Sequence, residues 1–162
     1  PPAAPSVTLA DAAPAQPLAI LTPVTAPVAK AREFELEIPV NDDKEIIAAR
    51  FAERLARNAG FDSEGVNQIK TALIESCLSL SAAAHSRDAL IHQRYHMDDE
   101  NIVITVANSL SALDDDSGAV VDDEANRLWR LDVLKSLMDD VHLTRVGEGW
   151  RVRMARQIPQ KP

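Results

Sequence analysis

Apolar positions along this chain change their spacing several times, and each change marks an element. In "EFELEIPV", Phe34, Leu36 and Ile38 alternate with glutamates, which predicts a half-exposed strand. Asn41 or Asp42 can cap a following helix with Glu45 in its first turn. Ile46, Ile47, Ala49, Phe51, Leu55 and Ala59 fill that helix, and Gly60 stops it. A second cap at Asp62 or Ser63 opens a longer helix. Its stripe is Val66, Ile69, Leu73, Cys77 and Leu80, spaced 3, 4, 4 and 3, and it runs to about His85.

Two strands are predicted next. Ile91, Tyr95 and Met97 share one face of the first. Ile102, Ile104 and Val106 alternate with Val103 and Thr105 in the second, and "MDDEN" supplies the turn between them. Residues 109–126 are small and acidic without a period, so they are expected to form a loop. In "LWRLDVLKSLMDDV", Leu131, Leu134, Met138 and Val141 are spaced 3, 4 and 3, which predicts a third helix. Gly147-Glu148-Gly149 separates two closing strands, with Trp150, Val152 and Met154 facing one way. The element order favours an α/β two-layer sandwich, with helices on one face of a mostly antiparallel sheet.

Residues 1–32 differ from the rest. They hold seven of the ten prolines, ten alanines and only three charges, Asp11, Lys30 and Arg32. Such a stretch is expected to be an extended linker from an upstream domain, or a disordered arm. The chain begins with Pro rather than Met, which is read as a fragment or a processed form. Residues 33–158 carry 14 basic and 24 acidic side chains, a net −10 against −8 for the whole chain. That balance argues against nucleic-acid binding and against an anionic membrane surface. No apolar run is long enough to span a bilayer. The single Cys77 leaves no intramolecular disulfide and no cysteine-rich zinc site, and fits a reducing, cytoplasmic setting.

The second helix has another face of interest. At about 100° per residue, Glu75 lies opposite the apolar stripe, with Ala72, Ser79 and Ala82 beside it. It can be a pocket wall that orients water or a metal, or a solvated glutamate. "DDDSG" lacks the spacing of a calcium loop. His92 and His96 share a strand face with Arg94 but have no third metal ligand, so a polar outer face is expected and no metal. Arg151 and Arg153 are expected to face solvent or form a small patch for an acidic partner.

Order and residues together give a family resemblance over 33–158. The chain resembles the anti-sigma-factor serine kinases of bacterial partner-switching systems, members of the histidine-kinase-like (GHKL) ATPase superfamily. "FELEIPV" resembles the first strand of that family. "IKTALIESCLSLSAAAHS" resembles its helix with a Glu, an Asn four residues later and a His near the end. "NIVITVANS" resembles the strand leading into an Asp-x-Gly turn, "LWRLDVLKSLMDDV" a Gly-x-Gly-Leu helix, and "GEGWRVRMARQI" the closing hairpin. The resemblance implies that Glu75 would assist an attacking hydroxyl. The Asn that holds magnesium is replaced by Ser79, or by Ser81 if counted back from His85. The Asp that binds adenine is replaced by Asn108 and its following Gly by Leu110. The two glycines before the third helix are replaced by Leu128 and Arg130.

Glycine permits positive φ and a close backbone approach to phosphate, which side chains at these positions obstruct. The acidic run Asp114, Asp115, Asp116, Asp122, Asp123 and Glu124 would also repel triphosphate. The approach to the third helix therefore reads as a former phosphate site filled by side chains. The function expected is a degenerate regulatory domain with no cofactor. The alternative is an ATP- and magnesium-dependent serine kinase with an unusual site, Glu75 acting as base. The resemblance implies a protein partner: a sigma-factor-like or antagonist domain, the chain's own upstream domain, or a second copy of itself. The surfaces expected to meet it are the acidic loop with Asp114, Asp115 and Asp116, and the outer side of the first helix with Arg50, Glu53, Arg54 and Arg57.

Overall fold

The structure, a computed structural model, describes residues 31–40, 43–84, 86–115, 118–120 and 129–162. The proposed linker, apart from its last two residues, lies outside them, as do Asn41, Asp42, His85, Asp116, Asp122, Asp123, Glu124 and Leu128.

The chain forms strand β1 (Arg32–Pro39), helices α1 (Glu45–Ala59) and α2 (Ser63–Ala82), and strands β2 (Leu90–Met97) and β3 (Asn101–Ala107). A short helix α3 (Leu110–Asp114), strand β4 (Ala119–Val120), helix α4 (Leu131–Leu137) and strands β5 (Asp140–Val146) and β6 (Gly149–Gln157) complete it. All strands join one antiparallel sheet in the order β1-β2-β3-β6-β5-β4. The α/β layered architecture expected from the pattern is present, with the strand beginning one residue inside the stretch read as linker.

The core lies between the sheet and α1, α2 and α4. All five residues of the α2 stripe are buried, against Ile91, Tyr95, Ile102, Ile104, Val106, Val152 and Met154 from the strands. Two polar side chains share this interior. Ser76 donates to the carbonyl of Ala72 and touches the sulfur of Met154, and Tyr95 donates to Gln93 Oε1. Gln93 was hidden by the alternation, because its burial follows from strand phase and not from its polarity. Cys77 sits in the same interior. Its thiol is pushed up to about 12 by burial, with a smaller contribution from the Glu45 charge.

Four details differ from the sequence expectations. Helix α1 starts without a side-chain cap, at Lys44, after Asp43 in a left-handed conformation at φ 52°. Ile46 and Ile47 are half exposed, and Ala48, Ala52 and Ala56 join the expected Ala49 and Leu55 on the buried face, because small residues let α1 approach α2 closely. The acidic segment is not wholly loop. Ser109 accepts from the Ala112 N–H and starts α3, which buries Ala112 and Leu113 against Ala107 and Val146. Ala107 shares a register row with His92 and Arg151, so this small cluster sits on the sheet face away from the main core. The third predicted helix is shorter than its stripe. It ends at Leu137, Met138 turns extended, and Val141 enters β5, where it pairs with Met154.

Glycine is needed at two turns. Gly60 ends α1 at φ 100° and Gly147 turns the β5–β6 hairpin at φ 61°. Asp98 holds the β2–β3 turn by accepting from the N–H groups of Glu100 and Asn101, which lower its pKa. Asp62 caps α2 through the Gly65 N–H at 2.8 Å. Asp62→Ala is expected to cost about 1 kcal/mol, a fall of about 3 °C in melting temperature. Lys44→Ala, at the uncapped start of α1, should leave it unchanged. The buried Cys77 thiol should resist a disulfide reagent at pH 8 and react stoichiometrically once urea unfolds the chain.

Candidate functional site

Glu75 projects from α2 on the side away from the buried stripe, with 26% of its side chain exposed. It meets Arg130, whose Nη1 lies 3.4 Å from Glu75 Oε2. Arg130 is the residue immediately before α4, and its backbone is left-handed at φ 51° and ψ 41°. Glycine adopts that conformation without strain, whereas a residue with a Cβ pays about 1 kcal/mol. Its carbonyl accepts from the N–H groups of Val133 and Leu134, so the unusual angle aims the chain into the first turn of α4.

Around this ion pair is a groove of about 610 Å³ lined by Glu75, Leu78, Ser79, Ala82, Ala83, Trp129, Arg130 and Trp150. Its floor is aromatic. Trp129 is 6% exposed and lies against Trp150 with ring centroids 5.2 Å apart and planes tilted by 44°. Arg145 lies over the Trp150 ring at 5.3 Å. Leu78 is 47% exposed at the rim. No period along the chain singles out the two indoles as partners. The one local signal was Trp129 beside Arg130 in the unusual approach to the helix.

Asn108 stands in a neighbouring cleft of about 440 Å³, with Ser86, Ser109, Ser111 and the hairpin turn from Val146 to Gly149. Asn108 Oδ1 accepts from the Trp150 N–H at 2.8 Å, while the Asn108 N–H donates to the Trp150 carbonyl. The oxygen of this side chain is therefore engaged in joining β3 to β6. Gly149 lets that join form, since a Cβ there would come within 2.7 Å of Ser109 Oγ. Trp150 thus links the two cavities, its backbone at Asn108 and its ring beside Trp129.

The structure brings Glu75, Ser79 and Arg130 to one groove and sets Asn108 next to it. Leu110 lines neither cavity. It is 53% exposed at the start of α3 and needs no left-handed angle. Arg50 and Arg54 are exposed on α1. Glu53 and Arg57 are tied to each other at 2.8 Å, and Lys70 of α2 also reaches Glu53 at 3.0 Å. Asp114 is not a loose acid, because Arg94 holds it at 2.6 Å and holds Glu35 at 2.8 Å. The Asp115 carbonyl accepts from Arg151, which also donates to the Ala112 carbonyl at 3.1 Å. Arg151 therefore anchors the α3 segment rather than facing solvent alone, and Arg153 lies 3.9 Å from Asp140. His92 faces Glu37 at 3.1 Å and His96 faces Glu33 at 3.9 Å. Among the described residues no group of three His, Cys, Asp or Glu side chains is placed to hold a metal, and no helix is long and apolar enough to cross a membrane.

Residues 38–156 match the histidine kinase-like ATPase domain family. No curated protein matches the chain. Among solved structures, the RsbU and RsbW domains of Rv1364c from Mycobacterium tuberculosis match with a TM-score of 0.60 at 10% identity. The match covers 80% of this chain and spans 33% of the length of that one, a likeness of fold.

Removing Arg130 separates strain from ion pairing. Arg130→Gly and Arg130→Ala both lose the contact to Glu75, a partly exposed pair worth at most about 1 kcal/mol. Only Ala keeps a Cβ in the left-handed conformation. Denaturant unfolding should therefore find the Gly variant more stable than the Ala variant by about 1 kcal/mol. Equal stabilities would mean that the backbone at 130 relaxes out of that region.

Proposed function

This chain belongs to the histidine kinase-like ATPase domain family, and from that premise we propose that it serves as a regulatory protein-binding module without ATP binding or phosphoryl transfer. The observation that carries this reading is the Glu75–Arg130 pair beside the two tilted, contacting indoles. The family resemblance assigns Glu75 to catalysis and position 130 to a phosphate-approaching glycine. Here an arginine at that position pairs with the glutamate, and Trp129 and Trp150 line the adjoining groove.

ATP and magnesium do not fit these residues. Arg130 occupies one approach to the Glu75 carboxylate, at 3.4 Å. Ser79 is too short to stand in for a magnesium-holding Asn except through water. Asn108 has its oxygen engaged by the Trp150 N–H, which leaves it less free to accept from an adenine amino group than a carboxylate would be. Helix α4 has seven residues and begins at a side-chain-bearing position, which makes it a poor phosphate cradle.

What remains is a folded domain with its outer surfaces intact. The exposed Arg50 and Arg54 of α1, with the acidic Asp114–Asp115–Asp116 segment, are the surfaces proposed to meet a partner. That partner is a sigma-factor-like or antagonist-like protein, an upstream domain of the same chain, or a second copy, met in the cytoplasm. Since Asp114 is held by Arg94, this segment presents its acids in a fixed arrangement at its start.

Calorimetry of the full chain with ATP and magnesium is expected to give no saturable binding below about 1 mM. A dissociation constant near about 10 µM would overturn the reading. It would also favour the alternative, an ATP-dependent serine kinase with Glu75 as base, and Glu75→Gln should then abolish turnover.

A further inference from the structure

The edge of the sheet at β1 carries an arrangement that the nucleotide-site reading does not use. Among the described residues nothing pairs with the outer side of β1. Its eight residues run without a bulge, each matched in turn to β2 from Arg32 opposite Met97 to Pro39 opposite Leu90. An edge of that length presents a row of unpaired N–H and C=O groups.

The two faces of this edge differ in chemistry. Glu33, Glu35 and Glu37 point to the sheet face away from the main core, with side chains 65%, 62% and 55% exposed. Their cross-strand neighbours are His96, Arg94 and His92. Arg94 is the one permanent cation among these, and it is shared with Asp114. The ladder is therefore left with an excess of negative charge along the open edge. On the other face, Phe34 and Leu36 are half-buried, and Phe34 meets Phe51 of α1 edge-to-face at 5.8 Å. Ile47 lies one turn before Phe51 on α1 and is 50% exposed. An apolar strip thus runs along the inner side of the same edge, walled by the helix.

We propose that the open β1 edge, beside α1, is a docking site for an extended basic segment of another protein, which joins the sheet as an additional strand. Strand addition of this kind takes its affinity from main-chain hydrogen bonds and its selectivity from alternate side chains. The segment that fits has Lys or Arg at i, i+2 and i+4 to meet the three glutamates. Its intervening positions are apolar, to cover Phe34, Leu36 and Ile47.

A second copy of this chain fits poorly. In an antiparallel β1–β1 pairing, every register that keeps Phe34 and Leu36 on the helix side places glutamates opposite glutamates, which is unfavourable. A register slipped by one residue would put the glutamates on the apolar face. The same charges that block self-pairing select a basic strand. This site does not rest on the loss of ATP binding and stands or falls apart from it.

The test uses the full chain and a synthetic nine-residue peptide that alternates Lys with Val and Ile. Its Lys→Glu counterpart and a version N-methylated at alternate amides serve as controls. The Lys peptide is expected to bind on the order of tenfold or more tighter than the Glu peptide, from three reversed cross-strand pairs, and to weaken as salt rises. Hydrogen exchange should slow at β1 amides on binding, and N-methylation on the pairing edge should abolish both effects. The Glu33→Lys/Glu35→Lys/Glu37→Lys variant should invert the preference between the peptides. Equal binding of the Lys and Glu peptides, tolerance of N-methylation, or no new protection in β1 would overturn the proposal. So would finding the β1 edge already occupied in a homodimer of the chain.

Discussion

The burial of one stripe on α2 organises the molecule. Val66, Ile69, Leu73, Cys77 and Leu80 are removed from water almost completely, inside a cluster that also takes in side chains of β2, β3 and β6. The stripe also fixes the rotation of α2 about its axis. Once the apolar side is committed to the sheet, Glu75 and Ser79 have a settled direction, toward α4 and the Trp150 end of β6. The groove is thus a consequence of core packing and needs no separate device to position it.

Within that frame the groove is walled by side chains on a backbone that bends at Arg130 where glycine would be at ease. Arg130 keeps a left-handed conformation that its side chain disfavours. Its guanidinium gains Glu75 in return, and the indole of Trp129 gains Trp150. The angle continues to direct the chain into α4 whether or not phosphate is ever bound there.

How much of this was legible in the sequence follows from which forces are local. The α2 stripe, the cap at Asp62 and the alternation in β2 and β3 are local patterns, and the structure follows them. The limits of the third helix were not legible, because Val141 satisfies a helical period and a strand partner equally well, and the pairing with Met154 decides. Helix α3 was missed for a related reason. Its stability comes from the Ser109 cap and from a four-residue cluster assembled across β3 and β5, which no window of sequence contains. The burial of Ala48, Ala52 and Ala56 was masked by the larger Ile46 and Ile47, since size is a weaker guide than closeness where two helices meet. At the site, the residue types at 75, 79, 108 and 130 were readable, but their mutual contacts were not. The engagement of Asn108 by the Trp150 N–H spans 42 positions.

The two indoles at the floor of the groove have an optical consequence. They are the only tryptophans of the chain, and they lie against each other at 5.2 Å. Intrinsic emission excited at the red edge of tyrosine absorption therefore comes from this one place, and the paired rings should give a coupled near-ultraviolet dichroism band. The protein carries its own spectroscopic label for the groove. A ligand entering beside Trp129 and Trp150 would change both signals, whereas an event at the far β1 edge of the sheet would leave them close to silent.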